Sequence, residues 1–131
     1  GHLVISTLHA NNAPETLDRI INMFPQDQHR QIFMDLSQYL RAVVSQRLVL
    51  GTDGKRLAAV EVMLNTPHVA ELINRGEIAE VKEAFAQSSE SGMQSFDVAL
   101  LKLYKDGKIG MEEALANADS RSNLEASIHF G

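Results

Sequence analysis

The sequence predicts an α/β fold in which a small β component gives way to helices, and three observations carry that reading. Leu3–Leu8 (LVISTL) is a short, apolar run rich in β-branched residues. Gln46–Leu50 and Leu57–Leu64 (LAAVEVML) are two further apolar runs joined by the Gly/Asp-rich link Gly51–Arg56. From Thr66 onward the apolar residues recur at helical spacing between capping residues. At 131 residues, 44% of them hydrophobic, the chain suffices for one modest domain and equally for a piece of a larger one.

Taken in order, Leu3–Leu8 reads as a strand buried on both faces, as in a parallel sheet. Pro14 suits a first helical turn, and Leu17, Ile20, Ile21 and Phe24 follow at i, i+3, i+4 and i+7 until Pro25 stops them. A strand leading through a short polar turn into a helix is half of a βαβ unit. From Asp27 a second helical pattern places Ile32, Phe33, Leu36, Leu40 and Val43 on one face, before the strand at Gln46–Leu50. The link Gly51–Arg56 (GTDGKR) then makes a β-hairpin with Leu57–Leu64. It is not a phosphate-cradling loop: the glycines are too close, Arg56 stands where a hydroxyl residue is needed, and a strand rather than a helix follows.

Beyond the hairpin, Thr66-Pro67 is an N-cap with proline at the first helical position, and Gly76 is placed as a C-terminal cap. Ile78, Val81, Ala84 and Phe85 form a second stripe, ended by the run Ser88–Gly92. Ser95 caps a third helix with Phe96, Ala99, Leu100, Leu103 and Tyr104, stopped at Asp106-Gly107. Met111–Ala118 is a fourth, and Ser122-x-x-Glu125 has the form of a capping box for a short final turn. The change of character near residue 66 divides the chain into 1–65 and 66–131.

Composition excludes several classes. Seventeen acidic against twelve basic residues give a net charge of −5, which offers no footprint for nucleic acid. With no cysteine there are no disulfides or thiolate zinc sites, and no run has the length of a membrane span. The cytoplasm is the default compartment. Beginning almost directly inside an apolar strand suggests a truncated product, with Gly1-His2 open to being a cloning remnant.

Chemistry is expected at the carboxyl end of the first strand, where a following helix offers free N–H groups and its positive dipole end. His9 stands there. Its imidazole can hydrogen-bond a phosphate oxygen, and Thr7, two residues earlier on the same strand face, offers a hydroxyl. His2 falls on the opposite face at the opposite end of a regular strand. A lone polar residue at a strand end also commonly just caps a turn, and the residues alone leave both roles open. His29 lies in a polar helical start, His68 near a helix N-terminus and His129 near the chain end; none has metal-ligand spacing.

The segment GHLVISTLHANNAPETLDRIINMFP (Gly1–Pro25) resembles the histidine box of the type IV pilus retraction motors, the PilT/PilU branch of the type II/IV secretion ATPase superfamily. The T-L-H core is Thr7-Leu8-His9. LRAVVSQRLV (Leu40–Val49), AAVEVMLNTP (Ala58–Pro67), GMQSFDVALLKLY (Gly92–Tyr104) and the A-x-x-x-A-D-S signature around Ala114–Ser120 are similar to the same family in the same order, so the likeness covers essentially the whole chain. HVAELINRGE (His68–Glu77) departs from the usual PilT motif and is nearer to PilU. The resemblance implies the C-terminal part of a RecA-like P-loop NTPase core, with a partial parallel sheet and a β-hairpin (1–65), followed by a helical C-terminal region (66–131). It implies a cytoplasmic, hexameric motor at the inner-membrane base of the pilus that hydrolyses ATP with Mg2+ and drives retraction and twitching motility. Implied partners are other copies of the chain, PilT-type motor subunits and an inner-membrane platform protein. His9 and Thr7 carry over as catalytic residues and His2 as nucleotide-proximal. Because the Walker A loop, Asp box and Walker B of such motors have no counterpart here, this polypeptide alone is expected not to hydrolyse ATP and to bind no cofactor. The competing expectation is an autonomous helical adaptor without nucleotide chemistry.

Overall fold

A computed structural model describes residues 1–86, 88 and 92–131, and the expected α/β combination of a hairpin with dominant helices is present. Its elements are α1 (Ala13–Asn22), a 3-10 turn (Gln26–Gln28), α2 (His29–Tyr39), strands β1 (Ala42–Leu50) and β2 (Arg56–Leu64), and helices α3 (Pro67–Arg75), α4 (Ile78–Ala86), α5 (Phe96–Lys105), α6 (Met111–Ala116) and α7 (Arg121–Phe130). Of the run Ser88–Gly92 expected to end α4, residues 89–91 lie outside the described residues.

Local signals set most boundaries. The Asn12 side chain accepts from Glu15 N–H and opens α1, with Pro14 in the first turn. Thr66 and Ser95 cap α3 and α5 in the same way. At the end of α3, Gly76 has φ +75°, and the paired bonds Gly76 N–H to Ile73 C=O and Glu77 N–H to Leu72 C=O close the turn. A Cβ at Gly76 would also stand 3.1 Å from the Phe33 ring, so this glycine lets α2 approach α3.

Three expectations need correction. Leu3–Leu8 is not a strand: it has no regular structure, and Leu3, Val4 and Ile5 are 78%, 81% and 87% exposed. A buried parallel strand needs a ladder on each side, whereas among the described residues β1 pairs only with β2, antiparallel, and no parallel pairing forms. The second helix stops at Tyr39, and Val43 belongs to β1, which starts four residues before Gln46. Val43 is inward-facing by either period, so a helical stripe and a strand alternation coincide there. The final helix starts at Arg121 and runs ten residues, with Ser122 inside it rather than capping it. The Asp97 carboxylate accepts from the N–H groups of Asp119 and Ser120 at 2.7 and 3.1 Å and so fixes the residues that lead into this helix.

The hairpin register is Ala42 opposite Leu64 through Leu50 opposite Arg56. Its inward face therefore carries the pairs Val43/Met63, Ser45/Glu61, Arg47/Ala59 and Val49/Leu57. Two separate hydrophobic clusters form against it. One joins Met63 to Leu17 and Ile21 of α1, Leu72 and Ile73 of α3, and Val81 and Phe85 of α4. The other joins Val49 and Ala59 to Phe96, Leu100, Ile109 and Leu124. The polar pairs at Ser45/Glu61 and Arg47 sit in register between them.

Candidate functional site

The histidine segment runs from a loose stretch into a tightly held one. His2, Thr7 and His9 are exposed, lie in residues without regular structure, and among the described residues make no hydrogen bond to one another or to any other group. Structure begins two residues after His9. Asn11 N–H donates to Glu15 Oε2 at 3.0 Å, Glu15 N–H donates to Asn12 Oδ1 at 2.9 Å, and Ala13 N–H donates to Glu61 Oε1 at 2.8 Å. The first N–H groups of α1 are thus met by the Asn12 amide oxygen and by one carboxylate from the hairpin, while the Glu15 carboxylate holds the residue before the cap. The Asn11 bond, seconded by Arg19, holds the Glu15 carboxyl below its usual range.

Across the same turn lies a node absent from the sequence expectations. The Arg47 guanidinium donates through Nη1 to the Asn117 carbonyl at 2.7 Å, and through Nη2 to Asp119 Oδ1 at 2.6 Å and to the Asn11 carbonyl at 3.3 Å. Its Cζ lies over the Phe96 ring, 3.9 Å from the centroid. Beside it opens a cleft of about 310 Å3 whose lining includes Asn12, Glu61, Lys82, Asp97, Asp119 and Ser120. Glu61 was foreshadowed only as a lone charge inside LAAVEVML, and Asp119 only as part of a signature without a role. His29, expected in a polar helical start, is half-buried: its Nε2 lies 2.9 Å from the Phe24 carbonyl and its ring meets Phe33 edge-on. His68 and His129 are exposed.

Glu61 is only 1% exposed. Burial pushes its carboxyl up from the ordinary 4.5, and Asp119 nearby adds to this; the Ala13 N–H, the Ser45 hydroxyl and Arg47 work in the opposite direction. A carboxyl whose pKa is higher folded than unfolded binds more protons in the native state. Stability therefore falls as pH rises from about 4.5 through the raised value. Glu61→Gln keeps an acceptor for Ala13 N–H and removes the buried charge. It is expected to be more stable than the parent chain at pH 7, with the gap closing as pH is lowered towards 4.5. Urea midpoints across that range check this, and a gap that widens on acidification contradicts it.

The family described as type II/IV secretion system protein matches residues 1–55, the stretch that holds the histidine segment, the first two helices and the first strand of the hairpin. More narrowly, the chain is homologous along its whole length to the pilus ATPases PilU and PilT. It is 53% identical to the type IV pilus ATPase PilU of Pseudomonas aeruginosa, with 100% of this chain and 35% of that protein covered. It is 36% identical to the type IV pilus retraction ATPase PilT of the same organism, covering 95% of this chain and 36% of that one. The crystal structure of the pilus retraction motor PilT with bound ADP superposes with a TM-score of 0.83 at 34% identity, over 95% of this chain and 35% of that chain. The higher identity to PilU agrees with the reading of His68–Glu77. The chain spans about a third of the length of the curated relatives it matches.

Proposed function

We propose that the chain is the C-terminal part of a hexameric ATP-hydrolysing motor that drives type IV pilus retraction and twitching motility, with residues 1–65 ending the ATPase core and 66–131 forming its helical region. The observation that carries this reading is likeness over the whole chain, in sequence and in fold, to type IV pilus ATPases, one of them a retraction motor known with bound ADP. The motor works in the cytoplasm at the inner-membrane base of the pilus, with further copies of itself, PilT-type subunits and a membrane platform protein as partners. Among the described residues no helix is long and apolar enough to cross a membrane.

In this motor His9 faces the γ-phosphate, with Thr7 beside it and His2 nearby, and loss of that phosphate changes the hydrogen bonding of the imidazole. The turn and α1 carry the change onward. Nothing in the chain has the form of a Walker A loop, and among the described residues no three His, Asp or Glu side chains are placed to hold a metal. In this reading Mg2+ belongs with the phosphate grip, in other parts of the motor. Purified alone, this chain is expected to show no ATP hydrolysis above background in a phosphate-release assay. Robust hydrolysis that survives His9→Ala would overturn the assignment of the phosphate grip to other segments. An autonomous adaptor instead predicts that the coding region holds no Walker A motif upstream of Gly1.

A further inference from the structure

We propose that Arg47 is a positioning residue for His9, fastening the turn after the histidine to the Asn117–Ser120 loop so that the state of the phosphate reaches α5, α6 and α7. The inference rests on His9 acting at the nucleotide, as proposed above. Three features of the fold support it.

The first is where order begins. Residues up to His9 make no regular structure, while Asn11 is held at both its N–H, by Glu15, and its carbonyl, by Arg47. His9 therefore stands two residues from a fixed point, and its reach is set by that point. The second is what lies on the other side of Arg47. The same guanidinium holds Asn117 and Asp119, and that loop is tied in turn to α6 through Asn117 Nδ2 donating to the Glu113 carbonyl at 2.9 Å, and to α5 through Asp97 accepting from Asp119 and Ser120. One side chain thus spans the histidine turn and three helices. The third is chemistry. Two carbonyls and a carboxylate are met by one planar fork whose Cζ also sits over the Phe96 ring, a combination that an ammonium group cannot reproduce. A purely structural tie would serve stability alone; a positioning tie must also appear in turnover.

The test is made in the full-length motor that contains this chain, with ATP turnover measured per assembled ring. Arg47→Lys retains the charge and loses the fork. It is expected to lower kcat by about 10- to 100-fold, as misplacement of a reacting group does, while KM for ATP stays within about twofold. In a His9→Ala background Arg47→Lys should lower kcat no further, because both changes act through the same imidazole. Asp119→Asn keeps an acceptor oxygen for Nη2 and is the milder variant; it should show the same sign with a smaller loss. Near-native kcat in both Arg47→Lys and Asp119→Asn, with His9→Ala impaired, overturns the positioning role and leaves the His9 reading standing. A loss on Arg47→Lys that multiplies fully with that of His9→Ala also overturns it. Unchanged turnover in His9→Ala removes both ideas together.

Discussion

Phe96→Ala is expected to lower the unfolding free energy of the chain by about 3–5 kcal/mol, the range for removing a fully buried aromatic side chain. Phe96 is 0% exposed and opens α5 directly after its Ser95 cap. Its ring packs in the cluster formed by Val49 and Ala59 of the hairpin, Leu100 of α5, Ile109 and Leu124 of α7. Truncation removes apolar burial and leaves a cavity that a hairpin and three short helices cannot collapse to fill. It also takes away the face on which the Arg47 guanidinium rests, 3.9 Å from the ring centroid, a stacking contribution of about 0.5–2 kcal/mol. Urea unfolding at constant m-value measures the change, and a loss under about 1 kcal/mol contradicts this packing.

Leu17→Ala should cost about 2–5 kcal/mol through the other cluster. Leu17 is 0% exposed on α1 and packs with Met63 of β2 and with buried residues of α3 and α4. Its consequence differs from that of Phe96. α1 is the helix that the histidine turn opens, so loosening it should also reduce protection from hydrogen exchange at the Glu15 and Ala13 amides, which are bonded to Asn12 and Glu61. Because the two clusters share no buried residue, the double variant should lose the sum of the single losses to within about 0.5 kcal/mol. A clearly non-additive pair would mean that the polar seam at Ser45, Glu61 and Arg47 does not divide the core.

How far these features were legible depends on the distance over which each is decided. Helices α1, α3 and α5 were readable because their caps and apolar stripes lie within a few residues, and the hairpin because Gly51–Arg56 is local turn chemistry. Leu3–Leu8 failed for the opposite reason: β-branched composition expresses a preference for a ladder, but neighbouring strands decide whether one forms. The start of β1 was hidden because Val43 satisfies both periods. In the candidate site, the histidine segment was visible as a motif. The groups that hold its turn were not, since Glu61 meets Ala13 across 48 positions and Arg47 meets Asp119 across 72. A lone glutamate in LAAVEVML and an unassigned aspartate in the A-x-x-x-A-D-S signature were the only traces of them.

The central claim is that His9 reports on a nucleotide whose grip lies in other parts of the motor. Its most direct test is ATP turnover per assembled hexamer in the full-length protein, for His9→Ala beside His129→Ala, an exposed histidine of α7 outside the site. The account predicts a fall of about tenfold or more for His9→Ala, affinity for a non-hydrolysable ATP analogue within about twofold of the parent, and an unchanged rate for His129→Ala. Equal, near-native turnover in both variants, with rings intact, would contradict it.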